Sequence, residues 1–218
     1  MIVLLVILEY LCGSMMFSYW LAKLANKDLT QVGDGNPGAF NLWKAAGYKL
    51  GLLGTALDVL KGYFPLVLFL KYGLVEDIYV IPVALAAILG HVFPVFLKFR
   101  GGKAIAVTFG VWSALTGFEV SFAYAIILAV LKLIAKLVTQ SWASPTEVDA
   151  FMVVLGMGIT GIYMLMRNFE GYLIILWICS LFILAYTNKA KLYRLANQIA
   201  QEEQWKDLLG RFRQNRMQ

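Results

Sequence analysis

Charge is what this sequence has least of. Asp, Glu, Lys and Arg make up 15% of its 218 residues, where a soluble domain carries roughly 25%. Histidine and cysteine are scarce as well. Cys12 and Cys179 sit in apolar runs, far from a second Cys or from His91, the single histidine. Without ligand spacing there is no metal site to read, and both cysteines are expected to be small buried hydrophobes. No polar stretch is long enough for a separate soluble domain, so the chain is expected to fold as one unit. It also lacks the internal repeat that many transporters are built from, although an intramembrane ion pair could serve a permeation path.

What the chain has is apolar length. It is 61% hydrophobic with a mean hydropathy of +0.72, and runs of membrane-spanning length recur from end to end. The class is therefore an all-α integral membrane protein with about seven transmembrane helices. The first, Ile2 to about Leu24, has no basic segment ahead of it and no A-x-A cleavage site, so a retained helix is expected. Glu9 within it is expensive in lipid and should face other helices, water or the nearby interface. Further spans are expected at about Leu50–Leu70, Ile78–Leu97, Phe118–Val138, Ala150–Met166 and Gly171–Tyr186. The apolar stretch Ala104–Thr116 is short enough to be tilted or re-entrant. Pro94 should kink or end its helix. Lys132 and Lys136 are placed to snorkel. Ser144-Pro145-Thr146-Glu147 reads as a helix start, with Ser as N-cap and Pro at the first helical position.

Two glycine-rich stretches stand between these spans. Gly33-Asp34-Gly35-Asn36-Pro37-Gly38 is dense in turn formers. Its G-x-G-x-x-G spacing follows no strand, which excludes a dinucleotide fold. It is either a plain interfacial loop or a glycine loop entering a helix, with Asn36, Asn41 and Lys44 as polar contacts. The second stretch, Gly90 to Lys103, reads GHVFPVFLKFRGGK. Adjacent glycines reach backbone angles closed to other residues, so amide N–H groups can converge on an anion. Arg100 and Lys103 add charge beside Gly101 and Gly102, which suits a phosphate on a substrate or a lipid headgroup. His91 could supply a structural hydrogen bond or act chemically. Asp58 and Lys61, three apart within a span, share a helix face as either a functional cavity pair or a structural ion pair.

Positive charge is unevenly distributed. Of the 19 Lys and Arg, 16 fall in segments that alternate spans place on one side. Lys71 and Arg167 fall on the other, and Lys61 lies within a span. The positive-inside rule then puts the amino terminus outside and both glycine loops with the carboxyl terminus in the cytoplasm. Leu192, Leu195, Ile199, Trp205, Leu208 and Phe212 recur at helical spacing in a basic tail. That suits an amphipathic helix on an anionic leaflet. The expected division is a membrane domain, residues 1–187, with loops at 33–44 and 98–104, and a cytoplasmic tail, residues 188–218.

GDGNPGAFN, DVLKG and GHVFPVFLKFRGGK together resemble the bacterial acyl-phosphate:glycerol-3-phosphate acyltransferases, the PlsY family. The likeness runs from Gly13-Ser14 to about Val111. It implies an inner-membrane, multi-span enzyme of phospholipid biosynthesis with its site at the cytoplasmic face. It also implies acyl transfer from acyl phosphate to the 1-hydroxyl of glycerol 3-phosphate, giving lysophosphatidate without metal, nucleotide or coenzyme A. Gly35, Asn36, Gly38 and Asn41 would form the first phosphate loop, with Lys44 beside it. Arg100, Gly101, Gly102 and Lys103 would form the second. Lys103, Asn36 and His91 would be the catalytic candidates, supported by Asp58, Lys61 and Asn188. The partners implied are the two substrates and membrane lipids, with no nucleic acid, and a monomer is expected.

The chain departs from the family pattern at several places. Asp34, Phe40, Lys44, Ala104 and Val107 stand where Ser, Thr, Arg, Gly and Thr are usual. The third family motif, approximately RHRxNIxRL, reads TNKAKLYRL here, so its His falls on Asn188 and its Asn on Lys191. Asn188 cannot act as a base near neutral pH. Asp34 is expected to repel phosphate unless turned away. Two alternatives stay open: a non-catalytic relative that binds a phospholipid or acyl phosphate, and transfer to a different acceptor at a site reshaped by Asp34, Lys44 and Lys191.

Overall fold

The computed structural model describes residues 1–139 and 145–215, with side chains described for 1–137 and 145–201. The described residues form nine α-helices: α1 (Ile2–Gly13), α2 (Phe17–Leu24), α3 (Ala39–Ala46), α4 (Tyr48–Lys71), α5 (Val80–Val92), α6 (Ile105–Thr116), α7 (Glu119–Thr139), α8 (Thr146–Met166) and α9 (Gly171–Asn215). Six segments among them are long and apolar enough to cross a membrane, and α6 is a shorter apolar helix.

The expected first span is broken in two at Ser14–Met16. Gly13 and Ser14 are weak helix formers, and the Met15 carbonyl takes the Lys61 ammonium at 2.6 Å. Lys61 also pairs with Asp58 at 2.9 Å, and the Ser18 hydroxyl donates to the other Asp58 oxygen at 2.9 Å. This buried cluster pins the α1–α2 break to the middle of α4. The Asp58/Lys61 pair thus has a structural function, and Lys61 reaches none of the substrate-sized cavities described below.

Helices without a water-driven reason to associate need close backbone approach, and glycine supplies it. A Cβ on Gly13 would strike the Ala87 carbonyl, and one on Gly90 the Tyr10 carbonyl, so α1 and α5 touch backbone to backbone. Between α4 and α6, Gly62 meets Val107 and Gly110 meets the Val59 carbonyl in the same way. Glu9 is wholly buried in this packing. The expected end at Pro94 is seen: α5 stops at Val92.

Two expectations change. The span from Gly171 does not stop at Tyr186, and α9 runs unbroken through Asn188 to Asn215. No glycine or proline lies between Gly171 and Gly210, so the change from apolar to basic surface needs no change of backbone. The apolar stripe expected at Trp205, Leu208 and Phe212 lies outside the described side chains. At the start of α8, Pro145 stands at the N-cap and Ser144 lies outside the described residues. Lys132 does more than snorkel, since it pairs with Asp149 at 2.8 Å.

Removing one member of a buried pair strands the other's charge, at about 3–5 kcal/mol. Asp58→Ala should therefore lower thermal stability in detergent markedly, and Asp58→Ala with Lys61→Met should recover most of the loss. Equal destabilisation of the single and double variants would show that the loss comes from the cluster's contacts and not from a stranded charge.

Candidate active site

Both glycine loops and the middle of α9 meet at one end of the helix bundle, and Asp34 is where they join. Its Oδ2 accepts from the Nζ groups of Lys103 and of Lys191, the latter at 3.0 Å. Its Oδ1 accepts from the Asn41 amide at 3.0 Å and from the Asn36 backbone N–H at 3.3 Å. Burial pushes the Asp34 carboxyl up, but the hydrogen bonds from Lys103 and Lys191, the Lys103 charge and Asn41 hold it well below the ordinary carboxylate value. Burial lowers the Lys103 ammonium, Asp34 works against that fall, and Lys191 adds to it. Asp34 is not turned away from the site. It is the centre of an ion triplet.

The first loop is shaped by Gly33 and Gly35, at φ +60° and +72°, on either side of Asp34. Left-handed backbone of this kind favours glycine. Asn41, almost fully buried, also donates to the Asn36 carbonyl at 3.0 Å. Both amide hydrogens of Asn41 thus go to holding the loop closed. The Lys44 ammonium lies over the Phe40 ring, 4.5 Å from the centroid, and Lys44 lines neither of the cavities described below.

The second loop uses its glycines for space rather than for backbone angle. A Cβ on Gly101 would strike the His91 carbonyl and Pro94, and one on Gly102 the His91 ring. The left-handed residues here are Lys98, Phe99 and Ala104, at φ +52°, +61° and +62°. The Gly102 N–H donates to the His91 carbonyl at 3.0 Å, so it is not part of the amide cluster expected to meet an anion. His91 is buried directly beneath the turn. Charge from this loop reaches the cavities through the side chains of Arg100 and Lys103.

Two cavities flank the triplet. One, of about 710 Å³, has a polar mouth and an apolar body lined by Phe109, Phe118, Phe122, Ala125 and Val153. Phe118 and Phe122 are 43% and 64% exposed, so the body opens sideways onto the apolar surface. The first residues of α3 and of α6 border it. Helix amino termini carry unpaired N–H groups and the positive end of the helix dipole, and so favour an anion. The other cavity, of about 760 Å³, is lined by Arg100, Lys103, Lys189, Lys191 and Arg194 with Gly35, Gly101 and Gly102. Asp34, Asn36, Lys103 and Lys191 belong to both.

Of the residues singled out from sequence, Gly38, Asn41, Asp58, His91 and Asn188 line the apolar cavity. Gly35, Arg100, Gly101 and Gly102 line the basic one, and Asn36 and Lys103 stand at the junction. Asn188 is buried and spends its amide on the Leu184 carbonyl at 2.9 Å. Lys191 is the residue the candidate set lacked. A signal for it was present: an acid and a base, Asp34 and Lys191, depart from the family pattern together.

The sequence model of the glycerol-3-phosphate acyltransferase family matches residues 3–198. A glycerol-3-phosphate acyltransferase 1 of Thermotoga maritima is 39% identical over 194 residues, which is 87% of this chain and 95% of that protein. Among solved structures, PlsY, an integral membrane glycerol 3-phosphate acyltransferase in its glycerol 3-phosphate form, superposes with a TM-score of 0.79 at 28% identity. The alignment covers 90% of this chain and 92% of that one. The lysophosphatidic acid form of PlsY gives a TM-score of 0.77 at 27% identity, with the same coverage. Similarity along nearly the whole sequence, on the same helical scaffold, establishes that this chain belongs to the glycerol-3-phosphate acyltransferase family.

Proposed function

We propose that this protein transfers a fatty acyl group from acyl phosphate to the 1-hydroxyl of glycerol 3-phosphate, giving lysophosphatidate for phospholipid biosynthesis. The observation that carries it is a cationic junction, Lys103 with Lys191, shared by an apolar cavity and a basic one. The apolar cavity takes the acyl chain from the bilayer side, with the donor phosphate at Lys103 and the amino termini of α3 and α6. The basic cavity takes the second phosphate, that of the acceptor. The acceptor hydroxyl then attacks the acyl carbon, the bond from that carbon to the phosphate oxygen breaks, and the hydroxyl proton ends on the released hydrogen phosphate. The leaving group is already a stable anion, so the barrier falls chiefly by stabilising charge on the carbonyl oxygen and on the phosphate. His91 is a positioning residue here, acting through its contact with Gly102.

The same reading places the protein in the bacterial inner membrane as a monomer with its site on the cytoplasmic side. The charge bias supports that orientation. Contacts support α6 as a seventh crossing. Lys103, just before it, meets Asp34 and Lys191, whereas Glu119, just after it, pairs at 3.0 Å with Arg167 in the turn following α8. The basic end of α9 continues the spanning helix without a break beyond the cationic junction.

Lys103→Ala should lower kcat/KM by about 10²–10³-fold, the scale of losing one charge-stabilising group. Radiolabelled glycerol 3-phosphate and palmitoyl phosphate, with the protein in lipid, would read this, alongside a thermal unfolding profile that should stay near wild type. Undiminished turnover would remove Lys103 from the mechanism.

Ala125→Trp tests the donor cavity. Excluding two methylenes costs about 0.8 kcal/mol each, so kcat/KM for palmitoyl phosphate should fall about tenfold relative to octanoyl phosphate. An equal effect on both donors would place the chain elsewhere.

A further inference from the structure

The ion triplet poses a problem for any anionic substrate. Lys103 and Lys191 converge on a single carboxylate oxygen of Asp34. Their side chains are 22% and 11% exposed, and that of Asp34 is 30% exposed. An ammonium has only three donors and no acceptor. A phosphate at the junction needs the same donors that the carboxylate already holds. We propose that Asp34 competes with the phosphate of glycerol 3-phosphate for Lys191, while Lys103 serves the donor phosphate, and so sets both the affinity and the charge selectivity of the acceptor site. This rests on the acyltransferase reading given above.

The charges indicate which ligand wins. Two ammonium groups and one carboxylate leave the junction with one net positive charge. A carboxylate-bearing acceptor offers the lysines no more charge than Asp34 does, so exchange gains little. Phosphate offers two charges and three acceptor oxygens, and Arg100, Lys189 and Arg194 line the same cavity. Asp34 therefore rejects weaker anions more than it rejects phosphate, which is discrimination by competition rather than by contact. The lysines are held by Oδ2 alone, so that oxygen can give them up while Oδ1 keeps the Asn41 amide and the Asn36 N–H that close the loop. Lys191 is brought to the junction by the unbroken α9 and follows the acceptor phosphate once Asp34 yields.

Competition makes a prediction opposite to scaffolding. If Asp34 only positions the lysines, neutralising it loosens them and weakens the acceptor. If it competes, neutralising it tightens the acceptor. The full-length protein in lipid nanodiscs should be titrated with radiolabelled glycerol 3-phosphate and with glycerate, and assayed for acyl transfer in parallel. Asp34→Asn keeps the shape and removes the charge, and Asp34→Ser provides a second variant should the first fold poorly. Either should lower the Kd for glycerol 3-phosphate about three- to tenfold and lower that for glycerate by more. Lys191→Met should raise the Kd, and by a larger factor in the Asp34→Asn background, where the lysine has no partner to leave. Weaker or unchanged glycerol 3-phosphate binding in folded Asp34 variants overturns the competition, as does strict additivity with Lys191→Met. Lysophosphatidate formed by wild type alongside weakened Asp34 variants would uphold the acyltransferase and reject the competition. Tightened binding without product from any variant would do the reverse.

Discussion

Close backbone contact between helices is the constraint on which this structure depends. In a bilayer, apolar side chains gain little by leaving lipid for one another, so association rests on packing and on buried polar contacts. Gly13 against Ala87, Gly90 against Tyr10, and Gly110 against Val59 allow the α1–α5 and α4–α6 pairs to touch at the main chain. The consequence is felt at the site. Gly90 immediately precedes His91, and His91 sits directly beneath the Gly101-Gly102 turn. The α4–α6 contact likewise fixes the start of α6, and with it the position of Lys103. The break at Ser14–Met16 is held by Lys61 and Asp58 from the same α4. Helix packing and loop placement are one problem here, solved by residues with little or no side chain.

The site itself is organised by charge at a boundary between two media. Both proposed substrates carry phosphate, and one carries a long apolar chain that cannot leave the bilayer. A cavity with an apolar body and a polar mouth, adjoining a second one lined by five cations, meets that requirement geometrically. The cations stand at one end of the bundle because the sequence spaces Lys103 and Lys191 at the ends of α5's connection and of α9's apolar portion. Asp34 offsets part of their mutual repulsion, so three charges from distant parts of the chain are stable together.

Much of this was legible in the sequence, and the rest was not for identifiable reasons. Apolar runs gave the helices expected at Leu50–Leu70, Phe118–Val138 and Ala150–Met166 to within a few residues, since length and composition mark such segments. The second glycine motif gave one wall of the basic cavity. The break in α1–α2 was hidden because its cause, the capture of the Met15 carbonyl by Lys61, lies 46 residues away. The continuity of α9 was hidden by a change of polarity that mimics a boundary. Gly101 and Gly102 were singled out for backbone angle, whereas the structure leaves no room for a Cβ at either, because periodicity cannot distinguish a glycine needed for its angle from one needed for its volume. Asp34 was read as an obstacle to phosphate, and Asp34, Lys44 and Lys191 together as reshaping the acceptor site, but the direct pairing of Asp34 with Lys191 was hidden by their distance in sequence.

The altered third motif then looks less like a loss than a rearrangement. Asn188 turns its amide back to its own helix and supplies no base. The chemistry does not require one at that position, because the acceptor's proton can leave on the phosphate that the reaction releases. What the reaction does require is positive charge held against two phosphates without collapsing onto either. A lysine at 191 raises that charge and, unopposed, would bind any anion too readily. An aspartate at 34 restores the balance from the facing loop. The two substitutions are therefore best understood as one change, made on opposite walls of the same site.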